Sequence, residues 1–323
     1  MNRNNKTSHL TEAAMITGIL VIIAFLSSFV SIVMFFYPTP AIILAKRRGI
    51  KYSALALLAA DLIITILLGV TTGFIYFILY TPFSLALAYG VYRNETANKT
   101  LLYGAASYMV SFVVLILFAN VVMGVNFVEQ LKTMYAEGYE MTEKMLSNMP
   151  AGFNSEQMDE ALGQLENFRK SSDFILSNLF PAIVVMVSLL ASYINYLVAE
   201  KFAKRFSINI NRHVKLSQFT FPRSFMIAMA AMLLVSYLLA ALKINVGIIQ
   251  LNLFNLVFLA MVLQGFAVIK FFLETSQMTK SLKTLIMFMV IYMTMVYGGM
   301  ILIIALAGLV DLSIDLRKLN KAV

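Results

Sequence analysis

The chain has 323 residues, of which 60% are hydrophobic, 13% are charged and none is cysteine. So few polar residues cannot cover the surface of a water-soluble protein of this size, and lipid has to cover it instead. The lack of cysteine excludes disulfides and thiolate metal sites. The net charge of +9 comes from short basic clusters between apolar runs. This pattern is typical of membrane topology, and we expect no nucleic-acid partner.

Long apolar runs predict α-helices that cross a bilayer, because one crossing takes about 20 helical residues. A β-barrel would need short segments of alternating polarity instead. The predicted spans are Ala13–Phe36, Ser53–Gly69, Phe74–Val91, Leu101–Met123, Phe174–Val198, Phe225–Leu242, Val246–Ile269 and Leu285–Gly308. The predicted fold class is therefore an all-α, polytopic transmembrane bundle of about eight spans, with residues 1–323 forming a single transmembrane domain.

A short apolar piece, Ala41–Ala45, follows Pro38 and Pro40 and is too short to cross the membrane. The basic residues on both sides of the first span require the chain to return before Lys46. We therefore expect a kinked hairpin or half-helix here, with its irregular backbone buried among other helices.

Basic clusters at residues 46–51 and 201–223 mark the cytoplasmic side. The segment 124–172 carries eight acidic residues against four basic ones, so we place it outside as a helical hairpin insertion. It could be a lid over an outward-facing site or a solvated extension of the flanking membrane helices. Strict alternation of the spans puts the C-terminus outside, although Arg317 and Lys318 argue against this.

Asp61 is the only acidic residue well inside an apolar span, about ten residues from a basic cluster. An ionised carboxylate there costs at least about 2.5–3.5 kcal/mol, and such residues are often functional. Asp61 could bind a cation, relay a proton or face a polar substrate group. It could equally be a structural aspartate that is protonated or held by a neighbour such as Asn120 or a tyrosine.

Amide side chains inside the spans are the other candidate substrate-binding residues. They are Asn120, Gln250, Asn252, Asn255 and Gln264, and Asn195 is a further amide in a span. Each could line a cavity or hold two helices together, and such contacts are worth about 0.6 kcal/mol on average in membranes. Three of the amides lie close together between residues 250 and 255, which favours a shared polar surface.

The sequence contains no P-loop, no H-E-x-x-H and no G-x-S-x-G motif. His9 and His213 are the only histidines, and neither has a metal-ligating companion at useful spacing. We therefore predict no catalytic residues, no metal site and no cofactor, and expect that the protein is not an enzyme.

Short motifs are distributed along most of the chain. They are Pro38-Thr39-Pro40, Arg47-Arg48-Gly49, Gln264-Gly265, Phe271-Phe272-Leu273, Gly308-Leu309-Val310-Asp311 and Asp315-Leu316-Arg317-Lys318. With them the chain resembles the YybS-like family of predicted bacterial membrane proteins. That family is distantly similar to the substrate-capture (S) subunits of energy-coupling-factor transporters.

The resemblance implies a small-molecule binding bundle for uptake, driven by a separate membrane scaffold with cytoplasmic ATPases. In S subunits, small residues on the first helix dock the scaffold, and Ala14 and Gly18 lie where that role would fall. Small residues four apart could also serve only internal packing. The chain departs from S subunits by having more than six spans and by carrying the outer insertion.

We therefore expect a substrate-binding transporter component in the bacterial cytoplasmic membrane. The alternative is a non-transporting scaffold or regulator of another envelope protein, with the acidic outer hairpin and the basic inner loop as contact surfaces. A membrane enzyme acting on lipid is a third alternative.

Overall fold

The computed structural model describes residues 3–148 and 155–319, and every regular element in these ranges is helical. The chain forms two compact units, Met1–His213 (unit 1) and Val214–Val323 (unit 2). The prediction of a single transmembrane domain stays a prediction. Unit 1 contains α1 (Arg3–Ser27), α2 (Pro38–Arg48), α3 (Ile50–Leu68), α4 (Val70–Ile75), α5 (Thr81–Tyr92), α6 (Ala97–Met123), α7 (Phe127–Ser147), α8 (Ser155–Phe174) and α9 (Phe180–Arg205). Unit 2 contains α10 (Arg223–Ala241), α11 (Gly247–Thr275), α12 (Lys280–Val296) and α13 (Gly298–Ile314).

In the described part of the chain, seven helices are long and apolar enough to cross a membrane, and an eighth crossing is reached if the bent pair α12–α13 counts as one. The predicted all-α membrane bundle is confirmed, with seven candidate spans and a bent pair that is either a broken span or a re-entrant loop. Many large apolar side chains on these helices face outward, as the lipid-facing surface of a membrane protein requires.

The predicted half-helix is α2, an 11-residue helix packed against α3, α5 and α9. At about 1.5 Å per residue it covers about 16 Å, half of a ~30 Å hydrocarbon core. A 3₁₀ segment, Ser31–Phe36, leads into it, so α1 ends at Ser27 and not at Phe36 as predicted. One reason is that the Ser27 hydroxyl donates to the Ala24 carbonyl at 2.6 Å and competes with the helix ladder.

Ion pairs of Glu12 on α1 stabilise the hairpin in which the chain returns through α2. The Glu12 carboxylate pairs with Arg47 at 2.8 Å and with Arg48 at 2.5 Å. Both arginines lie at the end of α2, so α1 begins and α2 ends on the same side of unit 1. The hairpin that the basic residues required is therefore present.

A π-helical segment, Tyr76–Tyr80, joins α4 to α5 just before Pro82, and a second one, Ile175–Leu179, joins α8 to α9 just before Pro181. Proline lacks an N–H and crowds the carbonyl four residues earlier, so a wider turn relieves the clash without ending the helix. In the first case the wider turn also sets the direction of two tyrosines described below.

The predicted outer insertion forms a helical hairpin of α7 and α8, of which residues 149–154 lie outside the described ranges. The Tyr139 hydroxyl and the Ser172 hydroxyl lie 2.7 Å apart, and the Tyr139 ring packs against Phe168. Residues 157–205 form one helical stretch of 49 residues, about 73 Å long, which far exceeds a ~30 Å hydrocarbon core. As one of the two interpretations expected, α8 is thus a direct extension of a membrane helix.

The predicted span Leu285–Gly308 is interrupted, because α12 and α13 are bent by 118°. Tyr297 is extended between them, and Gly298 and Gly299 follow, which weakens the helix at this point. Both ends of the pair reach the same end of unit 2. The Lys283 ammonium donates to the Glu274 carbonyl at 3.0 Å.

At the other end of the pair, Arg317 donates to the Ser217 carbonyl at 2.9 Å, and the Ser217 hydroxyl donates to the Glu274 carboxylate at 2.6 Å. The segment around Ser217 belongs to the basic loop assigned to the cytoplasmic side. Arg317 therefore lies at the same end of unit 2 as this loop, which favours the objection that Arg317 and Lys318 raised to strict alternation, and the membrane side itself stays a prediction.

Candidate functional site

A cavity of about 650 Å³ lies between α1, α2 and α9 in unit 1, and we call it the α1–α2–α9 cavity. This volume lies within the range of about 300–1,000 Å³ that is usual for small-molecule sites. Its walls are almost entirely aliphatic and aromatic, and charged side chains stand at one end. The lining residues are Glu12, Ile16, Ile19, Ile23, Phe36, Thr39, Pro40, Ile43, Leu44, Arg47, Val198, Lys201, Phe202, Arg205 and Phe206.

The cavity has a charged end and an apolar end. On α1 it is lined from Glu12 to Ile23, a distance of about 16 Å at 1.5 Å per residue. The end near Glu12 carries Lys201 and Arg205, which belong to the basic cluster 201–223 that is predicted to be cytoplasmic. The length of the cavity is about half of a ~30 Å hydrocarbon core, which is the depth of one leaflet.

The charged end has a surplus of positive charge. Glu12 is shared between Arg47 and Arg48, whereas Lys201 and Arg205 form no ion pair within residues 3–148 and 155–319. These two cations are four residues apart on the same face of α9, a spacing at which like charges destabilise a helix. An anion bound between them would relieve this repulsion.

One buried polar group lies on the wall of the cavity. Thr39 is 6% exposed, and its hydroxyl has no hydrogen-bond partner among the described residues. A buried hydroxyl without a partner costs free energy, commonly about 1–3 kcal/mol.

The structure places Asp61 outside this cavity, buried where α2, α3 and α5 meet. One carboxylate oxygen accepts a bond from the Thr81 hydroxyl at 2.7 Å, and the other accepts one from the Tyr37 hydroxyl at 3.3 Å. Tyr37 immediately precedes α2, so the carboxylate ties the start of the half-helix to α3 and α5. A tyrosine is therefore a neighbour, as one alternative expected. The part of Asp61 in substrate binding stays a prediction.

A chain of buried tyrosines in ring contact begins at Tyr37 beside this carboxylate, and together they form the aspartate–tyrosine cluster: Asp61, Tyr37, Tyr76, Tyr80 and Tyr108. The Tyr37 ring lies 4.7 Å from that of Tyr76 and 6.0 Å from that of Tyr80, and Tyr80 lies 6.5 Å from Tyr108. All four rings are buried. Tyr76 and Tyr80 begin and end the π-helical segment before Pro82. This cluster could not be predicted from the sequence, because its members come from four separate elements.

The predicted amides do not join Asp61 in one site within unit 1. Asn120 is exposed on α6, whereas Asp61 is buried. Asn195 is fully buried on α9 and donates to the Ala191 carbonyl, and its own carbonyl oxygen has no partner in the described part of the chain. Asn120 therefore does not hold Asp61, which rules out that alternative.

Three other amides lie on α11 in unit 2, and one of them joins two helices. Gln250 donates to the Ser236 carbonyl on α10 at 3.1 Å, which is the kind of bond by which amides stabilise helix contacts. Asn252 and Asn255 each donate within α11, to the carbonyl four residues earlier. The part of these amides in substrate binding stays a prediction.

Gln264 belongs to a buried polar cluster in unit 2 that the sequence analysis missed. Its amide nitrogen donates to the Asp311 carboxylate at 2.7 Å, and its oxygen accepts from the Phe221 backbone at 3.2 Å. Arg317 binds the same carboxylate through Nε at 3.1 Å and Nη2 at 2.8 Å. Its remaining donors reach the carbonyls of Ser217 and Phe219. The signal was an aspartate at the end of a span with an arginine six residues later.

The candidate docking residues Ala14 and Gly18 are both exposed on α1, and a Cβ at Gly18 would meet no atom within 4 Å. By contrast, Ala56 and Ala60 on α3 are buried and serve internal packing. The first pair is therefore free to face lipid or another helix, and its docking role stays a prediction.

The fold and its outward apolar surface define a multi-pass helical membrane protein with a ligand-sized cavity in unit 1. Residues 15–312 match the family described as predicted membrane protein (DUF2232), and the chain belongs to this family. It is also similar to the uncharacterized protein YybS of Bacillus subtilis (strain 168), with 25% identity over 237 residues that cover 72% of this chain and 74% of that protein. The resemblance to YybS-like proteins is thus confirmed. No solved structure matches the chain.

Proposed function

We propose that this protein is a non-catalytic, substrate-binding component of a transport system in the bacterial cytoplasmic membrane. The observation that carries the proposal is the α1–α2–α9 cavity, a ligand-sized space with apolar walls and a charged end. Its walls come from two membrane helices and the half-helix, and a half-helix buried in protein is a feature of many transporter binding sites.

The exposed stripe of small residues on α1 supports the second part of the proposal, a membrane scaffold with cytoplasmic ATPases as the partner. Ala14 and Gly18 leave a shallow surface on which another helix can approach closely. Because neither residue packs inside the chain, a larger side chain there should disturb a partner and not the fold.

The test is purification from the native cell at native expression in mild detergent, with mass spectrometry of the proteins recovered. We expect a membrane scaffold and paired ATPases with the wild type, and their loss from the variant Ala14→Leu/Gly18→Leu. Ala106→Leu is the matched control, because Ala106 is an exposed small residue on α6. It should recover the same partners as the wild type.

Recovery of envelope or signalling proteins in place of ATPases would overturn the transport proposal and favour the alternative, a scaffold or regulator. Recovery of the same ATPases with wild type and Ala14→Leu/Gly18→Leu would retain the transport proposal but remove α1 as the docking surface.

A further inference from the structure

The α1–α2–α9 cavity differs from a simple apolar cleft in that it combines three properties. It is apolar over about 16 Å of α1, which matches the depth of one leaflet. It ends on the side where the basic clusters mark the cytoplasm. At that end two cations, Lys201 and Arg205, stand without an ion-pair partner in the described ranges.

We propose that the occupant of this cavity is a phospholipid with an anionic headgroup, taken from the cytoplasmic leaflet. This inference rests on the proposed function, because it names the substrate class of the same site. An acyl chain fits the apolar walls, and the headgroup binds between Lys201 and Arg205. Basic pockets between membrane helices on the cytoplasmic side are known to suit anionic lipid headgroups.

The positive charges at the end of the cavity that are unpaired within the described ranges favour an anionic lipid over a neutral one. Arg47 is already paired with Glu12 at 2.8 Å, so the net attraction comes from the two residues on α9. Phe202 and Phe206, each next to one of these cations in the sequence, are 44% and 57% exposed and also line the cavity. A free inorganic anion would contact only the cations, whereas a lipid contacts both the cations and these apolar surfaces.

The apolar wall offers a way to block the cavity without changing its charge. Ile19 on α1 is 42% exposed and lines the cavity, whereas Ile22 is 58% exposed and does not. Tryptophan at position 19 should fill the space that an acyl chain needs. Tryptophan at position 22 adds the same side chain to the lipid-facing surface of the same helix.

The experiment titrates the delipidated full-length protein in detergent with phosphatidylglycerol or with phosphatidylcholine of the same acyl chains, and native mass spectrometry counts the bound lipid. We expect the wild type to prefer phosphatidylglycerol by about thirtyfold, from about fivefold for each of two cations. Lys201→Gln/Arg205→Gln should abolish the preference. Lys51→Gln/Arg212→Gln removes two exposed cations from the same basic clusters and should keep it.

The cavity variants test whether the lipid binds in the cavity, whereas the proposed function is tested separately by the partners that co-purify. We expect Ile19→Trp to lose binding of phosphatidylglycerol and Ile22→Trp to retain it. Equal binding of both lipids by the wild type, blocked by Ile19→Trp, would overturn the anionic class and leave the cavity as the binding site. Binding that Ile19→Trp does not change would overturn the cavity as the site. Displacement of the lipid by inorganic phosphate at equal concentration would overturn a lipid as the occupant.

Discussion

Each unit of the molecule buries one aspartate, and the two carboxylates are stabilised in different ways. Asp61 in unit 1 and Asp311 in unit 2 are both 4% exposed. Asp311 accepts bonds from the Arg317 guanidinium and from the Gln264 amide. Asp61 accepts bonds only from two neutral hydroxyls among the described residues, those of Tyr37 and Thr81.

The difference lies in where the charge is neutralised. Asp311 has an arginine whose side chain is fully buried, so the pair is complete inside unit 2 and nothing further needs to bind. Hydroxyls hold the Asp61 carboxylate in place without cancelling its charge. Asp311 is therefore a structural lock, whereas no ion pair among the described residues neutralises the Asp61 carboxylate.

Breaking the lock should give the largest effect on stability. Arg317→Met leaves the Asp311 carboxylate buried without its cation, so we expect a loss of about 3–5 kcal/mol, seen as a lower thermal unfolding midpoint in detergent. The double variant Asp311→Leu/Arg317→Met removes both charges and should recover most of the loss. Lys318→Gln is the control, because Lys318 is an exposed neighbour. An Arg317→Met midpoint equal to that of this control would contradict a structural lock.

Close backbone packing between α11 and α13 is the second support of unit 2. A Cβ at Gly308 would overlap the Met261 carbonyl oxygen, so Gly308→Ala has to push the two helices apart. We expect a loss of about 1–3 kcal/mol by the same measurement, as for other overpacked sites. Gly163→Ala is the matched control, since a Cβ on this α8 glycine meets nothing within 4 Å. It should raise stability by up to about 1 kcal/mol, because alanine favours a helix over glycine. Equal effects of the two substitutions would count against the contact.

Much of the fold follows from the sequence because hydrophobic runs report helices directly. The half-helix could also be predicted, since the basic residues around the first span force a return and only Ala41–Ala45 is available. The bend at Tyr297 could not, because the apolar run continues through it and hydropathy carries no information on direction. Arg317 was interpreted only as a side-of-membrane signal, although its guanidinium pairs with Asp311 inside unit 2.

The candidate site was harder to predict than the fold. Asp61 could be singled out because a lone acid inside an apolar run is conspicuous. The α1–α2–α9 cavity could not, because its walls come from three helices that are distant in sequence. Lys201 and Arg205 fitted the positive-inside rule, which gave no reason to look for a ligand beside them. Their spacing of four residues was the signal that could have been used.

The smallest stability effect should come from Asp61, and it sharpens the comparison between the two aspartates. Asp61→Asn keeps the shape of the side chain, and the Tyr37 and Thr81 hydroxyls can reorient to bond an amide. We therefore expect a loss of about 1 kcal/mol in thermal unfolding, well below that of Arg317→Met. Because Asp61 does not line the α1–α2–α9 cavity, phosphatidylglycerol binding should stay at the wild-type level.

Thr81→Val is the matched control, because it removes one hydroxyl from the same carboxylate and keeps the charge. Asp61→Asn and Thr81→Val could both lower the unfolding midpoint as much as Arg317→Met does. Asp61 would then be a structural lock like Asp311, and the two units would not differ in this respect. If Asp61→Asn alone loses the lipid while its unfolding midpoint is unchanged, then the carboxylate acts in binding, as the sequence first indicated. Tyr37 would then transmit the effect of Asp61 to the cavity. It precedes α2 and joins Asp61 to the half-helix that carries Thr39 and Arg47 on the cavity wall.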